Sequence, residues 1–255
     1  MPESLLTRLV RRTPLRWYLA DKLTRMQVIQ HAIDTLGART YLEIGVDQGL
    51  PFSVVRAPIK IGVDPIPAQP LVHAELEREG SSYFAMTSDE FFAKHAPQVL
   101  AGGADVVFVD GLHTYEQTYR DITNALRYLS PGGVVLAHDC LPVSAEEAVV
   151  ASSYEEAGRL IGPHWKGAWT GDTWKAIVAV RAGHAGAQAC VLNCDHGVGV
   201  VWKGEGPAPP SQSLAQIDAL DFDWLSKDPR QRLGLCRPAR VRKLLDALRQ
   251  QRAAA

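Results

Sequence analysis

Several groups of residues in this sequence have the types and spacing to hold a polar ligand and move a proton. The first is Glu43-Ile-Gly-Val-Asp-Gln-Gly49, where an acidic residue and two glycines four apart close a short apolar run. Lacking a Cβ, glycines let a backbone approach a ligand closely. Asp64 closes the next apolar run, a place where a carboxylate can accept both hydroxyls of a ribose. Thr87-Ser88-Asp89 follows a third run and also has the residue types of a helix cap. Asp110 and the pair His138-Asp139 follow two later runs. Carboxylates brought together there could share a divalent cation that orients an acceptor diol and lowers its pKa. Imidazole at His138 suits zinc, manganese or iron better than magnesium. His113 titrates near neutral pH and could take a proton from an attacking hydroxyl, although with Tyr115 it could equally start a helix.

Trp165, Trp169 and Trp174 lie close together, with Gly167 and Gly171 between them. Aromatic faces can stack on a flat acceptor, and glycines allow a segment to move. Trp169 is the expected substrate contact; Trp174 is expected in the core. Cys194-Asp-His196 precedes Gly197-Val-Gly199 and reads as a hairpin turn rather than a metal trio.

These residues need a scaffold that brings strand ends together. From Arg39 onward, short apolar runs alternate with helical segments, the pattern of a parallel sheet with crossover helices. Strands are expected near Thr40–Gly45, Lys60–Val63, Ser82–Ala85, Val106–Val109, Val134–Ala137, Ala176–Val180, and Cys190–Asn193 or Val198–Trp202. Helices are expected at Ser88–His95 and Glu116–Leu129, with Ser130-Pro-Gly-Gly133 as a turn. A short helix around Phe52–Arg56 fits between Pro51 and Pro58.

Residues Ser4 to about Leu36 read as two helices broken near Pro14. Leu5, Leu6, Leu9 and Val10 make an apolar face beside Arg8, Arg11 and Arg12, suited to covering a sheet edge, to a homo-oligomer contact, or to a membrane surface. Residues 204–211 read as a linker. Leu214–Leu225 and Ala239–Leu248 read as helices of a basic extension. The divisions are thus 1–38 as helical cover, 39–203 as the main domain, and 204–255 as linker and extension.

With 255 residues, 46% of them hydrophobic, the chain suits one large core. The 27 basic and 28 acidic residues nearly balance, so no global attraction draws nucleic acid or anionic membrane. Four scattered cysteines make no disulfide framework, no apolar run could span a bilayer, and no signal peptide is evident. A cytoplasmic protein with a small-molecule partner is expected.

The stretch Glu43–Gly49 resembles the first motif, E/D-x-G-x-x-x-G, of class I S-adenosylmethionine-dependent methyltransferases. The resemblance continues through Val109-Asp-Gly-Leu-His-Thr-Tyr-Glu116, Pro131-Gly-Gly-Val-Val-Leu-Ala-His-Asp-Cys140 and Gly171-Asp-Thr-Trp-Lys175, covering about Arg39 to Lys203. It implies a Rossmann-like, doubly wound, mostly parallel seven-stranded sheet. It also implies that Gly45 and Gly49 border the methionine part of S-adenosylmethionine, with Glu43 in the same cofactor-binding stretch, that Asp64 holds its ribose, and that Ser88 or its neighbours approach its adenine. Metal-dependent sugar O-methyltransferases of related type carry an acidic residue after strand four and an acidic pair after strand five. Here Asp110 and Asp139 match, and His138 departs from the pattern. The expected activity is methylation of a hydroxyl on a sugar or other small acceptor, with Asp110 and His113 catalytic and Asp110, His138 and Asp139 holding a metal. Relatives with hydroxylase-like chemistry, or a cofactor-binding scaffold, are the alternatives.

Overall fold

A computed structural model of the protein describes residues 23–183, 186–204 and 212–253. The first of the two expected N-terminal helices, and all of the expected linker except Gly204, lie outside those residues. Helix α1 (Arg25–Leu36) starts with a capping box, in which Thr24 and Gln27 satisfy each other's backbone N–H groups, and ends at Gly37 in the left-handed region.

The elements that follow are β1 (Thr40–Ile44), α2 (Leu50–Val54), β2 (Ile59–Asp64), α3 (Pro70–Leu76), β3 (Ser81–Ala85), α4 (Ser88–Lys94) and α5 (Ala96–Val99). Next come β4 (Ala104–Val109), α6 (Tyr115–Tyr128), β5 (Leu129–Ala137), α7 (Tyr154–Ile161), α8 (Trp174–Gly183), β6 (Ala187–Leu192) and β7 (Val198–Lys203). Four helices close the chain: α9 (Leu214–Asp218), α10 (Phe222–Lys227), α11 (Pro229–Leu233) and α12 (Ala239–Ala253).

The seven strands form one sheet in the order β3-β2-β1-β4-β5-β7-β6. β1 to β5 run parallel, whereas β7 lies antiparallel to both β5 and β6. The chain winds outward from β1 to β3, then returns to place β4 against the other side of β1. This reversal opens a crevice at the carboxyl ends of β1 and β4, the place where doubly wound sheets bind ligands. Ile44 and Val109 are paired there.

Two apolar layers cover the sheet. One gathers α4, α6 and α8 around Val107, Val135 and Ile177, joined by Ile217, Leu225 and Leu233 of α9 to α11. The other gathers α1 and α12 around Tyr41, Phe108 and Leu136. The C-terminal extension therefore contributes to both cores. Arg252 of α12 also pairs with buried Asp105 at 2.6 Å, and that carboxylate accepts the Arg39 and Thr40 N–H groups.

Two expectations are corrected. Ala176–Val180 is not a strand but the middle of α8, and the last two sheet positions are filled by both alternatives, β6 and β7. Trp174 to Val180 is buried on every side, so the segment has no polar face to reveal a helical period. Ser130–Gly133 does not stand outside the sheet: it bulges within β5, where pairing jumps from Ala104↔Leu129 to Val106↔Val134. At Gly132, φ is +66° and a Cβ would lie 2.4 Å from the Leu248 carbonyl oxygen, so the bulge supports α12. Among the described residues, no helix is long and apolar enough to cross a membrane.

Candidate active site

The turn after β1 is held by β2. One oxygen of Asp64 accepts the Val46 and Asp47 N–H groups at 2.8 and 2.9 Å, and the other accepts Ile66 N–H at 2.8 Å. Gly45 has φ +82°, and a Cβ there would stand 2.1 Å from the Asp110 carbonyl oxygen; the Asp110 N–H in turn donates to Ile44 at 2.8 Å. Gly49, also at φ +82°, would drive a Cβ to 2.6 Å from Val72. Both glycines thus satisfy close packing within the protein.

Glu43 is wholly buried on β1. One carboxyl oxygen accepts the Tyr41 hydroxyl at 2.5 Å, and the other has no hydrogen-bond partner. Burial pushes its pKa up to about 8, against the lowering effect of the Tyr41 bond and with help from the negative Asp110. Ser88 opens α4, where its hydroxyl accepts from Gln117 Nε2 at 3.1 Å. It also bonds Asp121, a carboxyl on α6 that burial raises to about 6. Sequence reasoning did not identify Gln117 and Asp121, which have no local motif.

The carboxyl ends of β4 and β5 bring Asp110, His113, His138 and Asp139 together. His113 Nε2 stands 3.2 Å from Asp139 and 3.6 Å from Asp110, while His138 Nδ1 stands 3.1 and 3.3 Å from the same two carboxylates. Asp139 has φ +56°, a left-handed conformation that costs energy for a residue with a Cβ, and its carbonyl accepts the Thr173 hydroxyl. His113 Nδ1 lies 3.1 Å from the Trp169 carbonyl. A carbonyl can only accept, so Nδ1 carries a hydrogen. The neutral ring then turns its Nε2 lone pair toward two carboxylates, an arrangement that asks for a proton or a cation between them.

The titration shifts have the same origin. Burial lowers the affinity of His113 for a proton, but the Asp110 bond and the Asp139 charge outweigh it and raise its pKa. His138 is raised well above its ordinary value, with burial again overcome by Asp139 and Asp110. Burial would raise Asp110; the two imidazoles hold it well below the carboxylate range instead.

Behind this cluster stands a second set that sequence reasoning missed. Asp195, at φ +41° in the β6–β7 hairpin, accepts the Arg25 N–H at 2.6 Å and lies 3.8 Å from His138 Nε2. Burial opposes ionisation of Asp195, but His138 and Arg25 hold its pKa down to about 2. Arg25 Nε is also 3.6 Å from Asp110. Cys194-Asp-His196 is accordingly a turn, as expected, but with a carboxylate turned onto the cluster.

The loop before α8 closes the other side. Asp172 accepts the Tyr115 N–H at 2.6 Å and so caps α6, whose own Thr114 supplies no side-chain cap. Gly171 packs where a Cβ would be 1.9 Å from the His113 carbonyl oxygen. Trp169 lies tilted against His113 with centroids 5.0 Å apart, donates Nε1–H to the Val149 carbonyl at 2.8 Å, and is 8% exposed. It fixes the imidazole more than it offers a free face. Trp174 is core, stacked on Trp224 at 6.0 Å, and Trp165 meets Tyr154 edge-on at 4.8 Å.

Residues 42–140 match the family model of a methyltransferase domain. No curated protein matches the chain. Among solved structures, the O-methyltransferase TomG of Streptomyces achromogenes, involved in tomaymycin synthesis and solved with S-adenosylmethionine, is similar with a TM-score of 0.51. Identity is 14% over 80% of this chain and 92% of that one. A Staphylococcus aureus protein provisionally named a caffeoyl-CoA O-methyltransferase has a TM-score of 0.50 at 14% identity, over 79% of this chain and 93% of its own. At such identity the likeness carries the fold, a Rossmann-like sheet with helices on both faces. The domain match over residues 42–140 and the sheet agree in a methyltransferase domain on a Rossmann-like fold. That domain spans the strand ends that carry Glu43, Asp64, Asp110 and Asp139.

Proposed function

We propose that the chain methylates a hydroxyl oxygen of a small acceptor, a sugar or another small metabolite, with S-adenosylmethionine as donor. The observation that carries this reading is the position of His113, with Nδ1 pinned on Trp169 and Nε2 facing Asp110 and Asp139. In that position Nε2 takes the acceptor proton. The acceptor oxygen forms its bond to the methyl carbon, and the electrons of the carbon–sulfur bond return to sulfur, leaving a neutral thioether. Since the sulfonium already activates the methyl group, the protein mainly aligns donor and acceptor and removes the proton. On the donor side the reading uses the Gly45–Gly49 turn with Glu43, Asp64 and Ser88. Bonds to Val46, Asp47 and Ile66 preset Asp64, so it would meet a ribose with its remaining lone pairs.

A second reading places a divalent cation between Asp110, His113 and Asp139, whose ligand atoms lie within 4.8 Å of one another. Two carboxylate oxygens and one imidazole nitrogen fit manganese, iron or zinc better than magnesium. Such an ion would lower the acceptor's pKa, and Nε2 would then be a ligand rather than a base. His138, with Nδ1 on the same carboxylates, would border the ion.

Calorimetry with S-adenosylmethionine, followed by methylation of a hydroxyl panel with and without chelator, tests both readings. Turnover that survives chelation supports His113 as base, and turnover restored only by added metal supports the cation. Cofactor binding with no methylation of any acceptor would favour the hydroxylase-like or scaffold alternatives, and absence of cofactor binding would remove the proposal.

A further inference from the structure

Outside the strand-end cluster, the free edge of the sheet carries two thiols that the methyl-transfer chemistry does not use. Cys190 lies on edge strand β6, and Cys236 lies in the connection between α11 and α12. The Cys236 N–H donates to Val191 at 2.8 Å, and its carbonyl accepts Asn193 N–H at 2.9 Å, so the two segments are held in register by backbone. Their sulfurs share a hydrogen bond at 3.8 Å. Cross-linking them therefore calls on side-chain rotation, with the backbone already in place.

Cys190, half-buried, and Cys236, 6% exposed, both line one cavity of about 450 Å³. Arg181, Arg240 and Lys243 line it, Trp202 forms part of its wall, and no aspartate or glutamate is among the lining residues. Arg181 is anchored by donating to the carbonyls of Ala189, Gln231 and Arg232 at 2.7, 3.2 and 3.2 Å, and no carboxylate pairs with it among the described residues. A cavity of this kind concentrates anions at the thiols and repels cations. The other two cysteines, Cys140 and Cys194, are buried at 0% and 1% exposure. The Cys236 thiol is held below its ordinary value by the Cys190 bond, with burial opposing and Arg240 assisting.

We propose that Cys190 and Cys236 are a dithiol modification site, oxidised to a disulfide by anionic low-molecular-weight disulfides that enter this cavity. The thiolate of one cysteine attacks the reagent's sulfur–sulfur bond, forming a mixed disulfide and releasing one reagent thiolate. The second cysteine, deprotonated, attacks the protein sulfur of that mixed disulfide and displaces the other reagent thiolate. Two cysteine thiols are oxidised, one reagent disulfide is reduced to two thiolates, and two protons pass to solvent. The product ties the segment between α11 and α12 to the edge of β6.

The full chain, native, is treated with the dianionic disulfide 5,5′-dithiobis(2-nitrobenzoate), and released thiolate is followed by absorbance and the product by mass. The expected result is two thiolates released per chain, no reagent retained, and a Cys190–Cys236 peptide lighter by two hydrogens. Either single variant, Cys190→Ser or Cys236→Ser, must lose that product. Whatever thiolate it releases leaves a reagent half on the remaining cysteine. Arg240→Glu with Lys243→Glu should slow the anionic reagent about tenfold relative to the dication cystamine. Added salt should narrow the same rate ratio in the wild type, which keeps the charge test independent of the variant's folding. Retained reagent on the wild type, reaction only after unfolding, or equal rates for both reagents at low salt would overturn the proposal.

Discussion

Replacing Glu43 by Gln should change how stability depends on pH, because the wild-type carboxyl is buried with one oxygen unpartnered and a pKa of about 8. An unfolded Glu titrates near 4.5. Between these values the unfolded chain has released the proton and the native chain still holds it, so native stability falls as pH rises. The loss begins above the unfolded value, is complete above about 8, and accrues at about 1.4 kcal/mol per pH unit. From pH 5.5 to pH 8 this comes to about 3 kcal/mol for Glu43 alone, order of magnitude. Gln does not titrate, so the variant lacks the slope. It replaces one orphaned oxygen by an amide with orphaned donors, a roughly constant cost of about 1–3 kcal/mol. The variant should therefore be less stable than the wild type at pH 5.5 and gain on it steadily toward pH 8. Urea unfolding of both proteins at several pH values reads this as a difference of differences, in which the raised His113 and His138 cancel. Parallel curves for the two proteins would refute the assignment of a protonated, desolvated Glu43.

Three further outcomes follow from the site. Gly45→Ala should destabilise by at least about 2 kcal/mol and weaken cofactor binding, since a Cβ would meet the Asp110 carbonyl at 2.1 Å on a backbone of φ +82°; calorimetry and urea melts check this. His113→Gln should lower kcat by roughly 10²–10⁴-fold, and should abolish an acid limb in kcat/KM whose midpoint lies above 6.5 because the base must be unprotonated. Asp195 has its folded pKa depressed to about 2, so its stability contribution is present above 3.8 and is lost as pH falls through about 2. Asp195→Asn should remove about 2 kcal/mol at pH 5 and flatten the acid-unfolding curve, measured by circular dichroism.

Strands β1 to β5 were legible in the sequence because each is a short apolar run ended by a polar residue or a turn, and those ends named Asp64, Asp110 and Asp139. Helix α8 was not, because Ala176–Val180 is buried all round and presents an unbroken apolar run at either period. The glycines are plain in the sequence, but the nearest neighbours of Gly45, Gly49 and Gly171 are Asp110, Val72 and His113 backbone or side-chain atoms, which only tertiary packing brings near. Arg25 and Asp195 are 170 positions apart and meet at the cluster. Asp172 caps α6 from a distance of 57 positions. No local motif marks such pairs. His113 was legible from its type and its place after β4, whereas the Trp169 carbonyl that fixes its tautomer was not.

The central claim is that this chain moves a methyl group from S-adenosylmethionine to an acceptor oxygen whose proton His113 Nε2 takes. Methyl-labelled cofactor incubated with a panel of sugar and other hydroxyl acceptors, wild type beside His113→Gln, tests it most directly. Label should appear on an acceptor oxygen with the wild type and be nearly lost with the variant, while both bind the cofactor equally. Cofactor binding without transfer by the wild type, or transfer at the wild-type rate by His113→Gln, would contradict it.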